Sequence, residues 1–559
     1  MTACLGVHSN FLVSRIAGHS LASRAAKGFT SAMFRELELL TPAEMAKADR
    51  HAIETGTSGF ELMQRAGDAV ARVALRVIEG ETGRRQIIVL CGPGNNGGDG
   101  FIAAKLLAEA GHTVVVSLLG SEGVLRGDAA AARRQYSGPL ANASLAKLDG
   151  SELIIDALFG AGLSRPVEGD AAALLRRING AHDAGALVIA IDLPSGISGA
   201  TGAILGEAVM ADETVTFFRR KPGHLLYPGR GRSGRVHVEN IGISADAIEA
   251  LNIATFMNAP ALWTQALPSP ASDGHKYDRG HTLILAGGIE GCGASRLAAR
   301  AALRVGSGLV TLAVPSEALA SQAAANTAVM VRRADGPRGW MALLADRRRN
   351  VAALGPAAGV GEETVTKVLA ALSSKRMVVI DADGLTSFAE KPELLFGAIK
   401  EEAPGAAVLT PHEGEFARLF HAAPEFVALG SGGQNLDKLS RARLAAQASG
   451  AVIVLKGADT VIAAPDGRAA INENATPYLA TAGSGDALTG IIGGLLAQKM
   501  PAFEAACAGV WIHAQAGIEF GPGLIAEDLP EMLPRVLRGL HASLQRGAEG
   551  GKVQVEDRG

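Results

Sequence analysis

The amino-acid sequence predicts an α/β fold built from two separate parallel sheets. Short apolar runs that are typical of buried strands alternate with helical stretches, and this alternation indicates right-handed βαβ units. The alternation occurs twice, before and after a stretch rich in proline and small polar residues, 258–280. Because the two halves show no internal repeat, we interpret the chain as a fusion of two different three-layer α/β domains.

The first half begins with a clear helix signal. Thr41, Pro42 and Glu44 form the pattern of a capping box with proline at the first helical position. A second helix is predicted over residues 60–78. The predicted strands that follow are 86–90, 113–119, 152–155 and 186–191, and the helices between them are 103–110, 129–135 and 172–178.

The second half repeats the alternation after the proline-rich stretch. Its predicted strands are 282–285, 309–314, 351–354, 377–380, 407–409 and 452–455. The predicted organisation is an N-terminal extension, 1–35, a first domain, 36–257, a linker and domain entry, 258–280, a second domain, 281–545, and a flexible tail, 546–559. The first 33 or so residues carry Arg15, Arg24 and Lys27 and no acidic residue before Glu36, so they could be a targeting peptide. Because they contain no convincing apolar core or A-x-A cleavage signal, we expect instead that the folded part begins at Met33.

The composition excludes several classes of protein. With 559 residues the chain is too long for a single core, and 48% apolar with 19% charged residues is typical of globular proteins. A formal net charge of -3 provides no general attraction to nucleic acid or to anionic membranes. No apolar run approaches the roughly 20 residues that span a bilayer. We therefore expect neither nucleic acid nor membrane as a partner.

The cysteines indicate the redox environment. Cys4, Cys91, Cys292 and Cys507 lie far apart and form no CxxC pattern. This spacing argues against a zinc site and against a disulfide framework. It is typical of a reducing compartment, so we expect a cytoplasmic protein.

The most informative motif is TAGSGD, residues 481–486, which leads directly into an apolar helix. Exposed backbone N–H groups at a helix start form a cradle for phosphate. The carboxylate of Asp486 can accept a proton from a substrate hydroxyl while a phosphoryl group arrives. The alternative is a glycine-rich turn in which Asp486 is an N-cap residue.

Five further clusters of glycine and polar residues follow predicted strands of the second half. Ligands bind at the carboxyl ends of parallel strands, so we expect these clusters to form one rim with Asp486. They are residues 287–294, 355–359, 381–384, 410–415 and 456–460.

Together, TAGSGD, KGADT, TPHEGE, DADGL and GASRLAARAALRVGSGLV resemble the ribokinase-like superfamily, and within it the ADP-dependent NAD(P)H-hydrate dehydratases. The resemblance implies a ribokinase-like sheet, two subsites and Asp486 as the catalytic base. The implied nucleotide-binding residues are Lys456, Gly457, Ala458, Asp459, Thr460 and Gly485, and the residues implied to face the hydrated nicotinamide are Ala294, Gly359, His412 and Asp486. The chain departs from the family pattern at Ala357, where glycine is usual.

This resemblance also implies a reaction. Hydrated NAD(P)H carries a hydroxyl on the ring carbon next to nitrogen, and hydroxide leaves poorly whereas phosphate leaves well. Asp486 would help that hydroxyl attack a phosphoryl donor, which we expect to be ADP, with Mg²⁺ as a cofactor. The ring nitrogen would then expel phosphate, and loss of a proton would restore NAD(P)H.

The first half has its own ligand-binding pattern. GPGNNGGDG, residues 92–100, provides backbone donors at a helix start, although a tight turn is the alternative. Asp156 and Asp192 each follow a strand and precede glycine, so we expect both in one cleft unless either is a solvated N-cap. Asn96, Asp156 and Ser195 offer only oxygen ligands, which suits a hard cation.

These motifs, with DALFGAG, DLPSG and FFRRKPG, resemble the NAD(P)H-hydrate epimerase family. The resemblance implies a Rossmann-like parallel sheet, potassium at Asn96, Asp156 and Ser195, and Asp192 as the acid–base group, with Lys221 as a second candidate. Gln64 stands where the family more often has glutamate. The implied substrate contacts are Asn95, Asn96, Gly97, Gly98, Asp99, Gly160, Ala161, Gly162, Leu163, Ser164, Arg165, Pro166 and Asp192.

The two resemblances together predict a bifunctional repair enzyme. One half would interconvert the R and S forms of the hydrates NADHX and NADPHX, and the other would dehydrate the S form with ADP, releasing AMP and phosphate. Family members commonly form oligomers, so the resemblance also implies a homo-oligomer. Two alternatives stay open: a different ribokinase-like kinase fused to a ligand-binding α/β module, and a sensing or partner-binding role for the first half.

Overall fold

The computed structural model describes residues 37–79, 86–148, 150–421, 423–429 and 436–553. The predicted extension, 1–35, lies outside these residues. The last helix reaches Val553, so residues 546–553 of the predicted tail are helical, while 554–559 lie outside the described residues. Within the described ranges, no helix has the length and apolar character needed to cross a membrane.

The first half alternates strands and helices as predicted. Its elements are α1 (Pro42–Glu54), α2 (Gly59–Val77), β1 (Gln86–Cys91), α3 (Asn95–Glu109), β2 (Thr113–Leu118), α4 (Gly127–Gln135), β3 (Leu140–Asn142), β4 (Leu153–Ala157), α5 (Gly169–Asp183), β5 (Leu187–Ile191), β6 (Glu213–Phe217), α6 (Gly229–Arg232), β7 (Arg235–Glu239) and α7 (Asp246–Glu249). The capping box of α1 is confirmed, because Glu44 N donates to Thr41 Oγ1 at 3.3 Å and Thr41 N donates to Glu44 Oε2 at 2.8 Å.

The first sheet has seven strands in the order β3–β2–β1–β4–β5–β6–β7, and every neighbouring pair is parallel. Successive residues of β1 face opposite layers. Val89 packs in a core with α2 and α3, whereas Leu90 packs in a core with α5. The predicted three-layer parallel fold of this half is confirmed.

The second half begins with a strand inside the range predicted for the first domain. Its elements are β8 (Thr255–Asn258), β9 (His281–Leu285), α8 (Cys292–Val305), β10 (Leu309–Val314), α9 (Leu319–Ala325), β11 (Met330–Arg333), α10 (Gly336–Leu344), β12 (Val351–Leu354), α11 (Glu362–Ser373), β13 (Met377–Ile380), α12 (Asp383–Thr386), α13 (Pro392–Glu402), β14 (Ala407–Leu409), α14 (Glu413–Phe420), α15 (Pro424–Val427), α16 (Lys438–Ser449), β15 (Val452–Leu455), β16 (Val461–Ala463), β17 (Ala469–Asn472), α17 (Ser484–Ala497), α18 (Ala502–Phe520) and α19 (Asp528–Val553).

The second sheet has ten strands in the order β11–β10–β9–β12–β13–β14–β15–β16–β17–β8. The strands from β11 to β15 are parallel, and β15, β16 and β17 pair antiparallel. Ala353 packs in a core with α8, α17 and α18, and Leu354 packs in a core with α11, α13 and α16. Helices therefore cover both faces of this sheet as well.

The strand β8 extends the second sheet with residues that precede the predicted linker. It pairs parallel with β17, so that Phe256 lies opposite Ala470. Asn258 Nδ2 donates to Asn472 Oδ1 at 2.9 Å. Farther on, Trp263 is 1% exposed and belongs to the core of the second half. The predicted boundary between residues 257 and 258 therefore falls inside a strand of the second sheet.

Close packing fixes the helix that carries Asp486. A side-chain carbon at Gly490 of α17 would lie 2.0 Å from Ala298 O of α8, and one at Gly494 would lie 2.7 Å from Ala302 O. Only glycine permits this approach of two helix backbones. The start of α17 is thereby held against the rest of the second half.

Candidate active sites

The five clusters predicted at strand ends lie along one edge of the second sheet. The strands β9, β12, β13, β14 and β15 are adjacent and parallel, so the segments that follow them leave from the same edge. A parallel bridge between His412 and Lys456 continues the pairing of β14 and β15 past the strand ends. The topology confirms the predicted common rim.

Asp486 lies in the first turn of α17, next to this rim. The helix follows Gly483, which has a φ of 86°, and a side-chain carbon at Gly483 would lie 2.7 Å from Leu297. Burial and, to a lesser extent, the negative charge of Asp381 raise the pKa of Asp486 against the opposing effect of Lys456, and the net value is about 6. The carboxyl group is therefore a stronger base than an exposed aspartate and is still largely ionised at neutral pH.

A buried network holds the charge of Lys456 at the rim. Its Nζ donates to Asp381 Oδ1 at 2.8 Å and lies 3.8 Å from Glu415 Oε2. The second oxygen of Asp381 accepts from Thr489 Oγ1 of α17 at 2.8 Å. Burial lowers the pKa of Lys456, but the carboxylates of Asp381 and Glu415 outweigh it and raise the pKa above the ordinary value. The ammonium group thus stays charged where an anion is expected.

The three other residues predicted to face the nicotinamide also lie on the segments that leave this edge. His412 is the N-cap of α14, and its Nδ1 accepts from Gly414 N at 3.0 Å. Gly359 follows β12 with a φ of 80° and donates its N–H to Asp383 Oδ2 at 2.9 Å. Ala294 lies in the first turn of α8, which follows β9.

The predicted nucleotide loop is compact. Thr460 Oγ1 donates to Gly457 O at 2.8 Å, which closes the loop on itself. Ala458 O accepts from Arg230 Nη1 of the first half at 3.1 Å. A side-chain carbon at Gly485 would lie 3.5 Å from Lys456 Nζ, so the loop and the start of α17 meet at this point.

Asp459 differs from the other residues of this loop. Its buried carboxylate accepts from Lys438 Nζ at 2.7 Å and from the backbone N–H of Tyr227 at 2.9 Å. Both oxygens are therefore used within the protein, and one of the two contacts reaches the first half. The structure places Asp459 as an anchor of the loop.

Ala357, where the sequence departs from the family pattern, adopts a left-handed backbone with a φ of 53°. Its carbonyl oxygen would lie 2.0 Å from a side-chain carbon at Gly287. The segments after β9 and β12 thus approach closely. Since left-handed backbone favours glycine, the structure gives a physical reason for the usual residue.

The motifs of the first half surround a cavity of about 650 Å³. The predicted substrate residues that line it are Asn95, Asn96, Asp99, Gly160, Ala161, Gly162, Leu163, Ser164, Arg165 and Asp192. Gly97, Gly98 and Pro166 are not among its lining residues. A side-chain carbon at Gly97 would lie 2.0 Å from Gly92 O, so this glycine is needed for a close turn of the backbone.

Asp192 lies at the end of β5 and is held in an unusual conformation. Its φ is 67°, which is rare for a residue other than glycine. Oδ1 accepts from Lys221 Nζ at 2.7 Å and from Thr216 Oγ1 at 3.1 Å, and Oδ2 accepts from Ala161 N at 2.8 Å. Burial alone would raise the pKa of Asp192, but the charge and hydrogen bond of Lys221 outweigh it and lower the pKa. Asp192 is therefore an ionised carboxylate at neutral pH.

Lys221 and His224 hold Asp192 in place. Lys221 is 1% exposed, and its Nζ also donates to Thr216 Oγ1 at 2.8 Å and lies 3.5 Å from Phe217 O. Burial, together with the charge of Lys221, lowers the pKa of His224 to about 4, so the ring is neutral. Its Nδ1 accepts from Lys221 N at 2.9 Å, so Nε2 carries the proton and donates to Asp192 O at 2.8 Å.

The predicted potassium ligands include a tightly bonded pair. Ser195 Oγ donates to Asp156 Oδ1 at 2.6 Å, and Ser195 N donates to Asp156 Oδ2 at 2.8 Å. Burial raises the pKa of Asp156 to about 6, although the hydrogen bonds from Ser195 oppose this. Nδ2 of Asn96 is buried and has no hydrogen-bond partner among the described residues. A buried carboxyl group without a cationic partner in the described ranges has the chemistry of a cation site. The unsatisfied Asn96 Nδ2 is a hydrogen-bond donor, so Asn96 could be a cation ligand only through its oxygen.

Three carboxyl groups outside the predicted catalytic set line the cavity with Asp192, and they belong to Asp49, Asp99 and Asp128. Burial raises the pKa of Asp49 to about 6, with an opposing effect from Lys221 and a further increase from Asp192. Burial also raises the pKa of Asp99 well above its ordinary value. Sequence reasoning assigned Asp99 only to substrate binding and missed Asp49. The available signal was the position of Asp49, four residues after Met45 and four before Ile53 on an otherwise apolar helix face.

Comparison with known families agrees with the two halves. A family model described as NAD(P)H-hydrate dehydratase matches residues 282–535. A model described as YjeF-related protein N-terminus matches residues 59–223. The range 59–223 includes Asp192 and Lys221, and the range 282–535 includes Asp486 and Lys456.

The curated relatives extend over nearly the whole chain. The bifunctional NAD(P)H-hydrate repair enzyme of Moorella thermoacetica is 36% identical over 536 residues, which cover 91% of this chain and 98% of the relative. The enzyme of the same name from Escherichia coli is 32% identical over 506 residues, covering 88% of this chain and 93% of the relative.

Among solved structures, the chain is similar to the ADP/ATP-dependent NAD(P)H-hydrate dehydratase from Bacillus subtilis co-crystallised with ATP and Mg²⁺. The two are 26% identical, with a TM-score of 0.43, and the match covers 51% of this chain and 98% of the other. The long matches to the curated relatives decide the assignment. The chain belongs to the family of bifunctional NAD(P)H-hydrate repair enzymes.

Proposed function

We propose that this chain repairs NADHX and NADPHX at two separate active sites. The second half dehydrates the S hydrate to NAD(P)H, with ADP as phosphoryl donor and AMP and phosphate as products. The first half interconverts the R and S hydrates, so that all damaged cofactor can be used. The observation that carries the proposal is the position of Asp486, a half-buried base at a helix start beside the charged Lys456.

In the dehydratase site, Asp486 accepts the proton of the hydroxyl on the hydrated ring. The hydroxyl oxygen then attacks the terminal phosphorus of ADP, and AMP leaves. The pKa of about 6 supports this role, because the group is ionised at neutral pH yet basic enough to take a proton. His412, Gly359 and Ala294 would contact the hydrated nicotinamide from the same edge of the sheet.

Charge at the rim would favour phosphoryl transfer. Lys456 and the free N–H groups at the start of α17 provide positive potential, which stabilises the additional negative charge of the transition state. Lys456 to Thr460 and Gly485 would hold the nucleotide, with Asp459 shaping the loop through Lys438. Mg²⁺ bound with the nucleotide would neutralise phosphate charge.

In the epimerase site, Asp192 exchanges a proton with the substrate. Its ionised carboxylate accepts hydrogen bonds from Lys221, Thr216 and Ala161, so the proton acceptor is already oriented before the ligand binds. The glycine-rich loop after β1 would hold the phosphates of the dinucleotide at the start of α3. The 650 Å³ cavity provides room for the nicotinamide end of the ligand.

Potassium would be held by Asn96, Asp156 and Ser195. The oxygen donors present fit a hard monovalent cation, and the buried Asp156 carboxyl has no cationic side chain paired with it in the described ranges. The ion would balance the charge of Asp156 and fix the segment that carries Ser195. Rotation of the Asn96 side-chain amide, which exchanges the positions of its nitrogen and oxygen, would present the oxygen to such an ion.

The test is an assay of the purified full chain with mixed NADHX epimers, Mg²⁺, K⁺ and either ADP or ATP. We expect complete recovery of NADH, followed by its absorbance. Asp486→Asn should abolish NADH formation but keep epimer interconversion. Asp192→Asn should abolish epimer interconversion but keep NADH formation from the S hydrate. Consumption of only half the substrate by the unmodified chain would remove the epimerase assignment. A stable phosphorylated product without NADH would indicate a kinase instead.

A further inference from the structure

One face of α1 forms a wall of the first-half cavity. Pro42, Met45, Ala46, Asp49 and Ile53 line it, at the spacing of one helix face. Four of these residues are apolar, and Asp49 is the exception. A carboxyl group on an otherwise apolar face that lines a ligand cavity requires an explanation, since burial of an unpaired polar group is unfavourable.

The helix cannot easily turn this face away. Ala48 and Ala52 of the same helix are at most 2% exposed and belong to the core of the first half. Leu40 N, just before the helix, donates to Arg220 O at 3.0 Å. Arg220 precedes Lys221, so α1 is fixed to the segment that carries the partner of Asp192.

Asp49 differs from Asp192 in how it is bonded. Within residues 37–79 and the other described ranges, no side chain forms an ion pair or a hydrogen bond with the Asp49 carboxyl group, whereas Asp192 has three donors. The charged groups around the cavity are Lys221, Arg165, Asp192, Asp99 and Asp128, and Arg50 is next to Asp49 on its own helix. Burial is the main reason why a protonated Asp49 is favourable; Lys221 and Arg50 oppose it, and the charge of Asp192 adds to it.

From this placement we propose that Asp49 is a second acid–base residue of the epimerase, acting on the substrate from the α1 wall while Asp192 acts from the end of β5. The proposal rests on the proposed epimerase function. In this proposal, Asp49 donates a proton to the departing hydroxyl group. Asp192 accepts the proton that the incoming water releases.

The step balances without an additional reactant other than water. Asp49 donates its proton to the hydroxyl on the ring carbon, the carbon–oxygen bond breaks, and water leaves as the nitrogen lone pair forms a carbon–nitrogen double bond. Water then adds to the other face of that carbon and gives one proton to the Asp192 carboxylate. The nitrogen lone pair is restored, and one proton has moved from Asp49 to Asp192. The reverse reaction uses the same pair with exchanged roles.

Asp99 is less suited to this exchange. It is placed in the glycine-rich loop, and burial raises its pKa well above the ordinary value, with a further increase from the carboxylates of Asp192 and Asp49. The pKa of Asp49, about 6, lies close enough to neutrality for the group to give and regain a proton in each turnover.

The test compares Asp49→Asn with Glu54→Gln, a neutralised carboxyl group on the exposed side of the same helix. We expect Asp49→Asn to slow R–S interconversion about 10²–10⁴-fold, and Glu54→Gln to leave it unchanged. Asp49→Glu should recover part of the rate. Dehydration of pure S hydrate by the same full-length variants should be unchanged, which shows that the second half is intact.

The pH dependence of R–S interconversion distinguishes an acid–base role of Asp49 from a merely structural one. In the unmodified chain the Asp49–Asp192 pair must hold one proton, so interconversion should decline as pH rises through about 6, and Asp49→Asn should lack this decline. A full rate in Asp49→Asn, or the same decline in that variant, would overturn the proposal. If Asp192→Asn is also fully active, the proposed epimerase site itself is wrong, whereas loss in Asp192→Asn alone rejects only the role of Asp49.

Discussion

Lys456 Nζ lies 2.8 Å from Asp381 Oδ1, and these two residues act on Asp486 in opposite directions. Burial is the largest cause of the raised pKa of Asp486, the carboxylate of Asp381 adds to it, and Lys456 reduces it. The ion pair therefore does more than hold the lysine. It sets how strong a base Asp486 is.

Neutralising Asp381 and neutralising Lys456 should shift the pH dependence of dehydration in opposite directions. Asp486 must be ionised to act as a base, so the rate of the unmodified chain should rise with pH through about 6. Asp381→Asn removes a negative charge and should move this rise to lower pH. Lys456→Met removes a positive charge and should move it to higher pH.

The measurement is the turnover rate at saturating ADP and S hydrate between pH 5 and pH 8. Saturating nucleotide is needed because Lys456→Met should also weaken ADP binding. Asp466→Asn, an exposed carboxylate paired with Arg468, provides a control for the loss of one negative charge. A shift of both variants in the same direction would contradict the assigned coupling.

The rim of the second half could be predicted from sequence because its signals are local. Each buried strand is a short apolar run, and the glycine or polar cluster that follows it is adjacent in the chain. The parallel order then brings Asp381, His412 and Lys456 to one edge. Two of the strands that were missed lack the apolar run: Met330–Arg333 ends in two arginines, and Arg235–Glu239 alternates polar residues with valines.

Contacts between distant segments could not be predicted in the same way. The pairing of β8 with β17 joins residues more than 200 positions apart, and nothing in either segment specifies the partner. The same applies to Asp459, which was predicted from its motif to bind nucleotide. Its partners, Lys438 and Tyr227, are fixed only by the tertiary structure.

Asp459→Asn should weaken ADP binding through the loop that it anchors. The substitution removes the charge that holds Lys438, and both side chains of that pair are only 11% exposed. Breaking a buried hydrogen-bonded pair costs about 1–3 kcal/mol, so the second half should also be less stable. Kinetic titration with ADP should show a raised KM, while epimer interconversion, measured in the same preparation, should be unchanged. An unaltered KM would show that the loop does not depend on Asp459.

His513 should make the second half sensitive to acid. Its Nε2 lies 3.0 Å from Ser484 O, at the start of α17, and burial lowers the pKa of the ring to about 4. The ordinary value of an unfolded histidine is about 6.5, so the unfolded chain binds the proton more strongly. Stability from the neutral ring is complete above about pH 6.5 and is lost as pH falls toward about 4.

His513→Gln tests this contribution, because glutamine can still donate to Ser484 O and does not titrate. Between pH 6.5 and pH 4, the unfolding midpoint of the unmodified chain should fall steadily relative to that of His513→Gln, so that the variant becomes relatively more stable at low pH. His421→Gln provides the control, since this histidine is exposed on the surface. A pH-independent difference would show that the pKa of His513 is the same in the folded and the unfolded chain.

Ala357→Gly should stabilise the second half. Alanine in the left-handed region costs about 1–2 kcal/mol relative to ordinary backbone, whereas glycine adopts it freely. Part of this gain is offset by the greater freedom of glycine in the unfolded chain, so we expect a net gain of about 0.5–1 kcal/mol. Ala358→Gly is the matched comparison, because Ala358 does not have a positive φ and packs against the apolar core. Urea unfolding should show a higher midpoint for Ala357→Gly and a lower one for Ala358→Gly. A lower midpoint for both variants would contradict this expectation. It would mean that the contact of the Ala357 methyl group with the segment after β9 stabilises the fold by more than the left-handed backbone of Ala357 destabilises it.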